Sequence, residues 1–515
     1  MHVTQTLHRA LQHDPLRPMT VFGDRVRSVA ESVEQIARFA GALRSLGVRP
    51  GDRVGVLALN SDRYHEYLLA VPWADAVVNP VNTRWSTAEI VYSLQESGTR
   101  VLLVDDAFAG MLPALHEQFP ELSTTIFIGD GALPEGTLDY EQLITDAEPV
   151  EDARRGGDEV FGVFYTGGTT GYPKGVMLSH TNVMTSALGC QAAGSLVSPN
   201  GRLLHTAPMF HLADLAIWLC GLLAGSTHVI TPAFAADDVL SAISRHQVTD
   251  VLLVPTMIQM LVDAPALPEH DLSSLHSLIY GASPISQAVL DRARTAFPAA
   301  GFTQAYGMTE LSPVTTILSP ADHGNPKLRR SAGRSAPHAE VRIVDFNGTE
   351  VPRGQVGEVV VRGDHTMLGY WNRPEDTATA LEAGWIHTGD GGYMDEHGYV
   401  FIVDRIKDMI VSGGENIYSA EVENALAKHP AVAACAVIGV PDPRFGERVH
   451  AVVVLQHGQS ATEEQLRDAC REHIAGYKVP RSVEVVDALP MSGAGKILKR
   501  ELRRKYWPDG ERQVR

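Results

Sequence analysis

The sequence predicts an α/β protein with a large N-terminal domain of layered α/β sheets, a β-rich subdomain and a small C-terminal α+β domain. Its 515 residues are too many for one hydrophobic core, so at least two domains are expected. Up to residue 339, short apolar runs typical of buried strands alternate with helical patterns. Beyond that point the pattern changes to short strands, which indicates the β-rich subdomain.

The first elements alternate between helix and strand. A helix is predicted over residues 32–46, because its apolar side chains repeat along one face and Gly47 follows as a stop signal. Short apolar runs predict strands at 54–59, 76–81, 101–104 and 160–165. Another helix is predicted to start at Thr181.

Tight turns follow predicted strands in the middle of the chain. Residues 251–254 predict a strand, and residues 278–284 predict a strand that enters a tight turn. The segment 304–310 follows the same pattern. Open α/β sheets bind ligands at the carboxyl ends of their strands, so these turns are candidate parts of a binding site.

The C-terminal third begins with strands and ends with a separate domain. Strands are predicted at 341–344, 357–362 and 399–403, and a domain boundary at 404–408. The remaining piece has about 110 residues, a common domain size. Ser419 is expected to cap one helix, and Thr462 with Gln465 forms a capping-box pattern before another.

Composition and charge favour a cytoplasmic protein. The net charge of −18 argues against nucleic acid and against an anionic membrane surface as partners. The four cysteines lie far apart, as expected of core residues in a reducing compartment. No signal-peptide pattern begins the chain, and the longest apolar stretch, 212–224, is too short to span a bilayer and contains Asp214.

One stretch carries the strongest chemical signal. Its sequence is YTGGTTGYPKG, residues 165–175, directly after the apolar run at 160–165. Glycine N–H groups and threonine hydroxyls can bind phosphate oxygens, and Lys174 can neutralise their charge. A Walker A loop has Gly before its lysine and Ser or Thr after it, whereas Pro173 and Gly175 flank this one. The stretch therefore predicts a polyphosphate site of a different kind.

This stretch resembles the phosphate loop of the AMP-forming acyl-adenylate superfamily. That superfamily contains acyl-CoA synthetases, adenylation domains of peptide synthetases and beetle luciferases. Three later motifs resemble further superfamily motifs in the same order: YGMTE at 306–310, GWIHTGD at 384–390 and PMSGAGK at 490–496. Within the superfamily, the sequence is most similar in style to bacterial fatty acyl-CoA synthetases.

The resemblance implies a site for ATP and AMP. The nucleotide-binding residues that it implies are Thr166, Gly167, Gly168, Thr169, Thr170, Lys174, Gly281, Ala282, Tyr306, Gly307, Thr309, Asp390 and Arg405. An aromatic ring suits the adenine base, and an ionised carboxylate such as Asp390 can accept hydrogen bonds from the ribose hydroxyls. Glu310 is the implied Mg²⁺ ligand, because carboxylate oxygens suit hard cations.

The resemblance also implies the catalytic residues and a moving domain. Lys496 matches the lysine that stabilises charge during adenylation, and His211 matches a histidine that positions the acyl carboxylate. Gly413 and Gly414 match the loop that lines the CoA passage. Lys407 matches the hinge residue.

The implied architecture is an adenylate-forming domain at 1–404, a hinge at 405–407 and a mobile domain at 408–515. The mobile domain would turn between the two steps of the reaction, so that Lys496 serves the first step and the glycine loop serves the second.

The acyl pocket is predicted to contain Asp214, Leu215 and Ser283. Asp214 is unusual, because a carboxylate stands within an apolar run. Either it selects a polar group on the acid or it pairs with a buried donor, and the sequence leaves both interpretations open. Leu215 stands where some long-chain enzymes have a gate tryptophan, which argues against a very long acyl chain.

The predicted function is an ATP-dependent ligase that joins a carboxylic acid to CoA through an acyl-AMP intermediate, with release of pyrophosphate and AMP. A fatty acid is the first candidate for the acid. An aryl- or cinnamate-CoA ligase and a stand-alone enzyme that loads a carrier protein are the alternatives. Because the chain ends at Arg515 without a carrier domain, a free-standing CoA ligase is favoured.

The expected partners are small molecules: the acid, ATP with Mg²⁺, and CoA. Nucleic acid and a transmembrane segment are not expected. A homodimer is a further expectation. The sequence around Lys496 also resembles the acetylation site of bacterial acyl-CoA synthetases, so a lysine acetyltransferase is an expected partner too.

Overall fold

The computed structural model describes residues 1–166, 173–194, 196–413, 415–491 and 497–507. The chain forms two compact units. The first contains Met1–Val341 and Val361–Ile386, and the second contains Arg342–Val360 and the described part of His387–Arg515. This mixed α/β architecture, with a large N-terminal and a smaller C-terminal part, confirms the predicted fold class. The domain boundary at 404–408 and the hinge at Lys407 stay predictions.

Helices and strands alternate through most of the described chain. The α-helices are α1 Gln5–His13, α2 Val29–Ser45, α3 Asp62–Trp73, α4 Thr87–Ser97, α5 Leu112–Gln118, α6 Tyr140–Asp146, α7 His180–Ala192, α8 Leu212–Ala224, α9 Ala236–His246, α10 Pro255–Asp263, α11 Gln287–Ala296, α12 Pro374–Ala380, α13 Ser419–Leu426, α14 Glu463–Arg471 and α15 Lys499–Arg504.

The strands are β1 Pro18–Phe22, β2 Arg25–Ser28, β3 Arg53–Leu57, β4 Val77–Pro80, β5 Val101–Val104, β6 Thr124–Phe127, β7 Leu138–Asp139, β8 Val160–Thr166, β9 Lys174–Ser179, β10 Arg202–His205, β11 Thr227–Ile230, β12 Asp250–Leu253, β13 Ser277–Gly281, β14 Gly301–Tyr306, β15 Thr316–Leu318, β16 Arg334–Ser335, β17 Glu340–Val344, β18 Gly357–Arg362, β19 Gly369–Tyr370, β20 Leu381–Glu382, β21 Trp385–Met394, β22 Val400–Arg405, β23 Ile410–Ser412, β24 Glu415–Ile417, β25 Val432–Asp442, β26 Gly446–Leu455 and β27 Ser482–Val485.

Two large sheets form the first unit. One has the strand order β16-β15-β14-β13-β12-β10-β11-β1-β2, and the other has the order β19-β9-β8-β4-β3-β5-β6-β7. In the first sheet, strands β10 to β14 are parallel to one another, so their carboxyl ends lie along one edge. The central strands are apolar because both faces of such a sheet are covered. This edge carries several of the predicted site residues.

Two helices begin earlier than the sequence predicts, because a capping residue precedes each of them. Helix α2 begins at Val29 rather than at residue 32, because Ser28 and Glu31 form a capping box. Helix α7 begins at His180 rather than at Thr181, because Ser179 caps it. The predicted stop after α2 is confirmed.

One predicted strand is too long at its end. Strand β3 stops at Leu57, whereas the apolar run predicted a strand to residue 59. The backbone N–H of Leu59 donates to the Asp105 carboxylate at 2.7 Å instead of continuing the ladder. The apolar pattern could not show this, because the competing acceptor stands on another strand's loop.

The second unit packs α13 and α14 on a sheet of order β24-β23-β26-β25, with β27 beside β26. The capping box of Thr462 and Gln465 is present at α14, as predicted. The expectation for Cys470 is also confirmed, because it lies in this core with Leu466 and Ile474.

The predicted cap at Ser419 is wrong. Tyr418 is the N-cap residue of α13, and its side chain makes no cap hydrogen bond. The Asp404 carboxylate instead accepts from the backbone N–H of Ser419, from its hydroxyl at 2.6 Å, and from the N–H of Ala420. A carboxyl acceptor from β22 therefore takes the place of a local cap, which sequence spacing could not indicate.

Replacing Asp404 with Ala should release the first turn of α13. We expect the variant to lose about 1–2 kcal/mol of stability, the usual cost of losing a good helix cap. Hydrogen exchange should accelerate in peptides that cover Ser419–Leu426 and stay unchanged in α14. Thr462→Ala is the matched control, with the opposite pattern. Equal exchange of α13 in wild type and Asp404→Ala would contradict this account of the cap.

Among the described residues, every helix is too short or too polar to cross a membrane. Their cysteines form no disulfides: Cys190, Cys220 and Cys470 are buried thiols, and Cys435 is half-buried.

Candidate active site

Two neighbouring strands bring the predicted adenine-side residues together. Gly281 ends β13 and lies opposite Ala305 on β14 in the parallel register. A Cβ atom on Gly281 would lie 2.3 Å from the carbonyl oxygen of Ala305, so the close strand pairing requires glycine. Ala282 follows with a φ of +66°, a strained conformation for a residue with a side chain. Ser283 comes next and is half-buried.

The other half of this edge is the end of β14. Tyr306 is its last residue, and its carbonyl accepts from the N–H of Thr315 at 2.8 Å. A Cβ atom on Gly307 would lie 1.8 Å from the carbonyl oxygen of Pro313, so no side chain fits there. Thr309 opens a short 3-10 helix and remains half-buried. The predicted adenine residues therefore lie at the carboxyl ends of adjacent parallel strands, where such sheets bind ligands.

A chain of contacts joins the phosphate motif to the predicted metal ligand. Thr166 and Lys174 face each other across the β8–β9 ladder. The Lys174 ammonium lies 5.1 Å from the ring centroid of Tyr370 and 2.6 Å from a carboxylate oxygen of Asp376. The Tyr370 hydroxyl then donates to Oε1 of Glu310 at 2.8 Å. Lysine, tyrosine and glutamate thus form one cluster within the first unit.

Burial keeps the Tyr370 hydroxyl of this cluster protonated. Glu310 is 6% exposed, and its backbone carbonyl accepts from Met367 at 2.9 Å. Burial, followed by the nearby Glu310 charge, raises the pKa of Tyr370, so its hydroxyl keeps its proton and donates. The carboxylate is held in place while using only part of its accepting capacity. An oriented, buried carboxylate oxygen of this kind fits Mg²⁺.

The predicted ribose residues meet in the second unit. Asp390 on β21 lies directly opposite Arg405 on β22, and Arg405 Nε is 2.6 Å from Asp390 Oδ1. Asp390 is 5% exposed. The guanidinium orients the carboxylate through a charge-assisted contact.

The strand before Asp390 is anchored by groups that sequence reasoning missed. Oε1 of Glu358 accepts from the N–H of Gly389 at 3.0 Å, and its Oε2 lies 2.9 Å from His387 Nδ1. The Thr388 hydroxyl donates to the carbonyl of Val359 at 2.7 Å. These contacts keep the backbone around Asp390 in place.

Two further predicted residues lie in the second unit. Lys407 stands in a 3-10 turn, Ile406–Asp408. Gly413 has a φ of +62° and donates its N–H to the carbonyl of Phe445 at 2.8 Å. The remaining predicted residues lie outside the described ones: Gly167, Gly168, Thr169, Thr170, Gly414 and Lys496.

His211 and the predicted acyl residues lie around the start of α8. His211 is the N-cap residue, and its Nδ1 accepts from the N–H of Ala213 at 3.3 Å, which places the ring proton on Nε2. Leu215 is buried at 1% exposure. Asp214 pairs with His205 Nδ1 at 2.9 Å, and its side chain is 2% exposed. Of the two interpretations of Asp214, the structure shows the pair with a buried donor.

Tyr370, Asp376, Glu358 and His205 are site neighbours that the sequence did not indicate. None belongs to a short motif. Tyr370, Asp376 and Glu358 meet their partners from distant parts of the chain, whereas His205 meets Asp214 across nine positions. The turn that follows Gly369, with Asn372 at positive φ and Pro374 nearby, was the one available local signal near Tyr370.

Two family models match this chain. The AMP-binding enzyme model matches residues 7–371, and the AMP-binding enzyme C-terminal domain model matches residues 421–496. Together they cover the phosphate loop, the YGMTE motif and the PMSGAGK motif, while the GWIHTGD motif at 384–390 lies between the two matches.

Relatives with known names match over nearly the whole length. A feruloyl-CoA synthase from Amycolatopsis sp is 43% identical over 94% of this chain and 95% of its own. The fatty acid–[acyl-carrier-protein] ligase ScoC from Streptomyces coeruleorubidus is 36% identical over 99% of this chain and 98% of its own.

A solved structure extends the likeness to three dimensions. The amide bond synthetase McbA from Marinactinospora thermotolerans has a TM-score of 0.88 and is 32% identical, with 98% of this chain and 100% of its own covered. The chain therefore belongs to the AMP-binding enzyme family, within the AMP-forming acyl-adenylate superfamily, and is an enzyme of the acid–thiol ligase class.

Proposed function

We propose that this enzyme is an ATP-dependent carboxylic acid–CoA ligase that works through an acyl-AMP intermediate. The observation that carries the proposal is the cluster of Lys174, Tyr370 and Glu310, in which a cation–π contact and a hydrogen bond connect a cation to a buried carboxylate that could bind Mg²⁺. Both groups are needed where a polyphosphate must be held and its charge neutralised.

In the first step, a carboxylate oxygen of the acid attacks the α-phosphorus of ATP, and the bond to pyrophosphate breaks. Lys174 and the Thr166 hydroxyl would hold phosphate oxygens, and Tyr306 would pack against adenine. Mg²⁺ bound at Glu310 would supply charge neutralisation on the phosphates. Lys496 would approach the α-phosphoryl group and offset the repulsion between the two anions.

In the second step, the sulfur of CoA attacks the acyl carbonyl, the thiol proton leaves, and the bond to AMP breaks. His211 would position the acyl group, and Gly413 and Gly414 would line the passage for the thiol arm. Asp390 and Arg405 would hold the ribose through both steps.

For the acid, we propose an aromatic acid of the cinnamate type. The support is the 43% identity to a feruloyl-CoA synthase over 94% of the chain. A fatty acid, the first candidate from the sequence, is the second candidate here, because a medium/long-chain-fatty-acid–CoA ligase from Mycobacterium tuberculosis is 34% identical over the whole chain. The match to ScoC makes a carrier protein the alternative thiol, and the match to McbA makes an amine a further acceptor to exclude.

A matrix of acids and acceptors tests the proposal. Pyrophosphate release would be measured with substituted cinnamates, benzoates and fatty acids of increasing length, each with CoA, with a carrier protein or with an amine. The proposal expects turnover with CoA and the highest kcat/KM with a cinnamate. Turnover with fatty acids alone would contradict the proposed cinnamate-type substrate. Turnover with a carrier protein or an amine alone would contradict CoA as the acceptor. Absence of turnover under all conditions would contradict the proposed ligase activity.

Replacing Asp390 with Ala should raise the KM for ATP and leave the order of preferred acids unchanged. Each hydrogen bond to a charged acceptor contributes roughly 1.5–3 kcal/mol, so an increase of tenfold or more is expected. Glu396→Ala is the control, because it removes an exposed carboxylate from the same hairpin. A changed acid preference at normal ATP dependence would show that Asp390 serves a different pocket.

A further inference from the structure

A buried hydrogen bond joins the two ends of the loop that carries His211. His205 is the last residue of β10, and Asp214 lies in the first turn of α8. His205 Nδ1 and Asp214 Oδ2 are 2.9 Å apart, with side chains 0% and 2% exposed. The loop runs from His205 at the end of β10 to the first turn of α8, where Asp214 lies. The contact between these two residues therefore joins the two ends of the loop.

The middle of the same loop is held by Asn60. Its Oδ1 accepts from the N–H of Met209 at 2.8 Å, and its Nδ2 donates to the carbonyl of Ala207 at 2.9 Å. Asn60 is 4% exposed, and its own N–H donates to the carbonyl of Pro232. The loop that leads to His211 is therefore held at its two ends and in its middle.

The contact with Asp214 sets the expected direction of a chain of histidines. With a carboxylate as its partner, the Nδ1 of His205 is expected to carry the proton. In the neutral ring, Nε2 is then the acceptor for His228 Nδ1, which lies 2.9 Å away on β11. Burial, with the neighbouring histidines, lowers the pKa of His228 well below its usual range, which keeps that ring neutral.

One face of helix α8 lies against these histidines and forms hydrogen bonds with two of them, His205 and His65. Asp214, Trp218 and Gly221 are spaced by one helical turn each, so they share one face. The Trp218 indole N–H donates to His65 Nδ1 at 2.9 Å, and a Cβ atom on Gly221 would lie 3.0 Å from Cε1 of His228. The rest of α8 is apolar, and apolar contacts are not directional, so they do not fix the position of the helix along its axis. The directional hydrogen bonds fix that position.

We propose that His205 and Asp214 are positioning residues, which set the place of His211 against the reacting acyl carboxylate by fixing the register of α8 on β10. This inference rests on the proposed function, since His211 has a role only if an acid is activated. Asp214 then acts through the protein and not through contact with the acid. A displacement of about 1 Å at a reacting group can lower a rate by on the order of 100-fold. Loss of the contact between His205 and Asp214 should therefore slow adenylation.

The test compares two substitutions at one position. Asp214→Asn keeps an oxygen that can accept from His205 Nδ1, whereas Asp214→Leu removes the acceptor. We expect Asp214→Asn to stay within about threefold of wild type and Asp214→Leu to lower kcat for adenylation at least tenfold, with the KM for ATP unchanged. Asp250→Leu is the control, because Asp250 is a buried carboxylate on β12 of the same sheet, at the amino end of the strands.

Double variants show whether the effect passes through His211. If Asp214 works by placing His211, Asp214→Leu should lower kcat no further in an enzyme that already carries His211→Ala. His205→Leu and Asp214→Leu should likewise be non-additive. Additive losses in these pairs, an equal kcat loss in Asp250→Leu, or a wild-type kcat in folded Asp214→Leu would each overturn the proposal.

A spectroscopic measurement separates this inference from the proposed function. The ¹⁵N shifts of His205 in the full-length protein should report a proton on Nδ1, and Asp214→Leu should change that tautomer. A proton on Nε2 in the wild type would overturn the inference even if the enzyme activates acids. Absence of acid activation together with the expected tautomer would overturn the ligase assignment and, with it, the role of His211, while the hydrogen-bonded pair would stand.

Discussion

Replacing Lys496 with Ala should lower the rate of acyl-AMP formation by about 100-fold or more, which is the scale for losing one charge contact in a transition state. The acid and ATP are both anions, and the proposed role of Lys496 is to offset their repulsion as the new bond forms. Formation of the thioester from pre-formed acyl-AMP should continue, because the resemblance assigns that step to a different face of the mobile domain. Both half-reactions would be followed separately, by pyrophosphate release and by thioester formation.

Lys428→Ala is the matched control for this variant, because it removes an exposed lysine from the second unit. It should leave both half-reactions unchanged. Acetylation of Lys496 also removes the charge and should have the same effect as Ala. A similar loss in both half-reactions, or a full adenylation rate in acetylated enzyme, would contradict the assignment of Lys496 to the first step.

Replacing Lys407 with Pro should separate the two half-reactions. A hinge residue must change φ and ψ as the domain turns, whereas the proline ring holds φ near −65°. Lys407 lies in a 3-10 turn, and φ in such turns is close to the value that proline adopts. The variant should therefore keep the described conformation and lose the other. One half-reaction should continue, and the other should fall on the order of 100-fold.

Lys407→Ala controls for loss of the side chain, because alanine leaves φ free to change. It should support both half-reactions at similar rates. Circular dichroism and thermal unfolding must first show that Lys407→Pro is folded. A folded Lys407→Pro enzyme with wild-type rates in both half-reactions would mean that the chain turns at another residue, and the predicted boundary at 404–408 would move with it.

The cluster of Lys174, Tyr370 and Glu310 explains why the phosphate motif and the YGMTE motif can serve one ligand. Tyr370 stands 60 residues from Glu310 in the chain, yet its hydroxyl meets the carboxylate at 2.8 Å. The tyrosine belongs to β19, which pairs with β9, the strand that begins with Lys174. A single sheet edge therefore carries the contact between two motifs.

Short-range patterns in the sequence determined the fold class, the alternation of helices and strands, the capping box at Thr462 and the family. These features depend on residues within a few positions of each other, so side-chain spacing and local hydrogen bonds encode them. The motif residues were also recognisable, because phosphate, base and metal each require certain side chains within a short segment.

The tertiary structure alone decided which side chains support those motifs. Asn60 reaches Met209 from 149 positions away, Asp404 caps α13 in place of Ser419, and His205 accounts for the carboxylate of Asp214 in an apolar helix. Each contact depends on how the strands, helices and loops pack against one another. A one-residue change of register turns every side chain of a strand to the opposite face, so no local pattern can specify such partners.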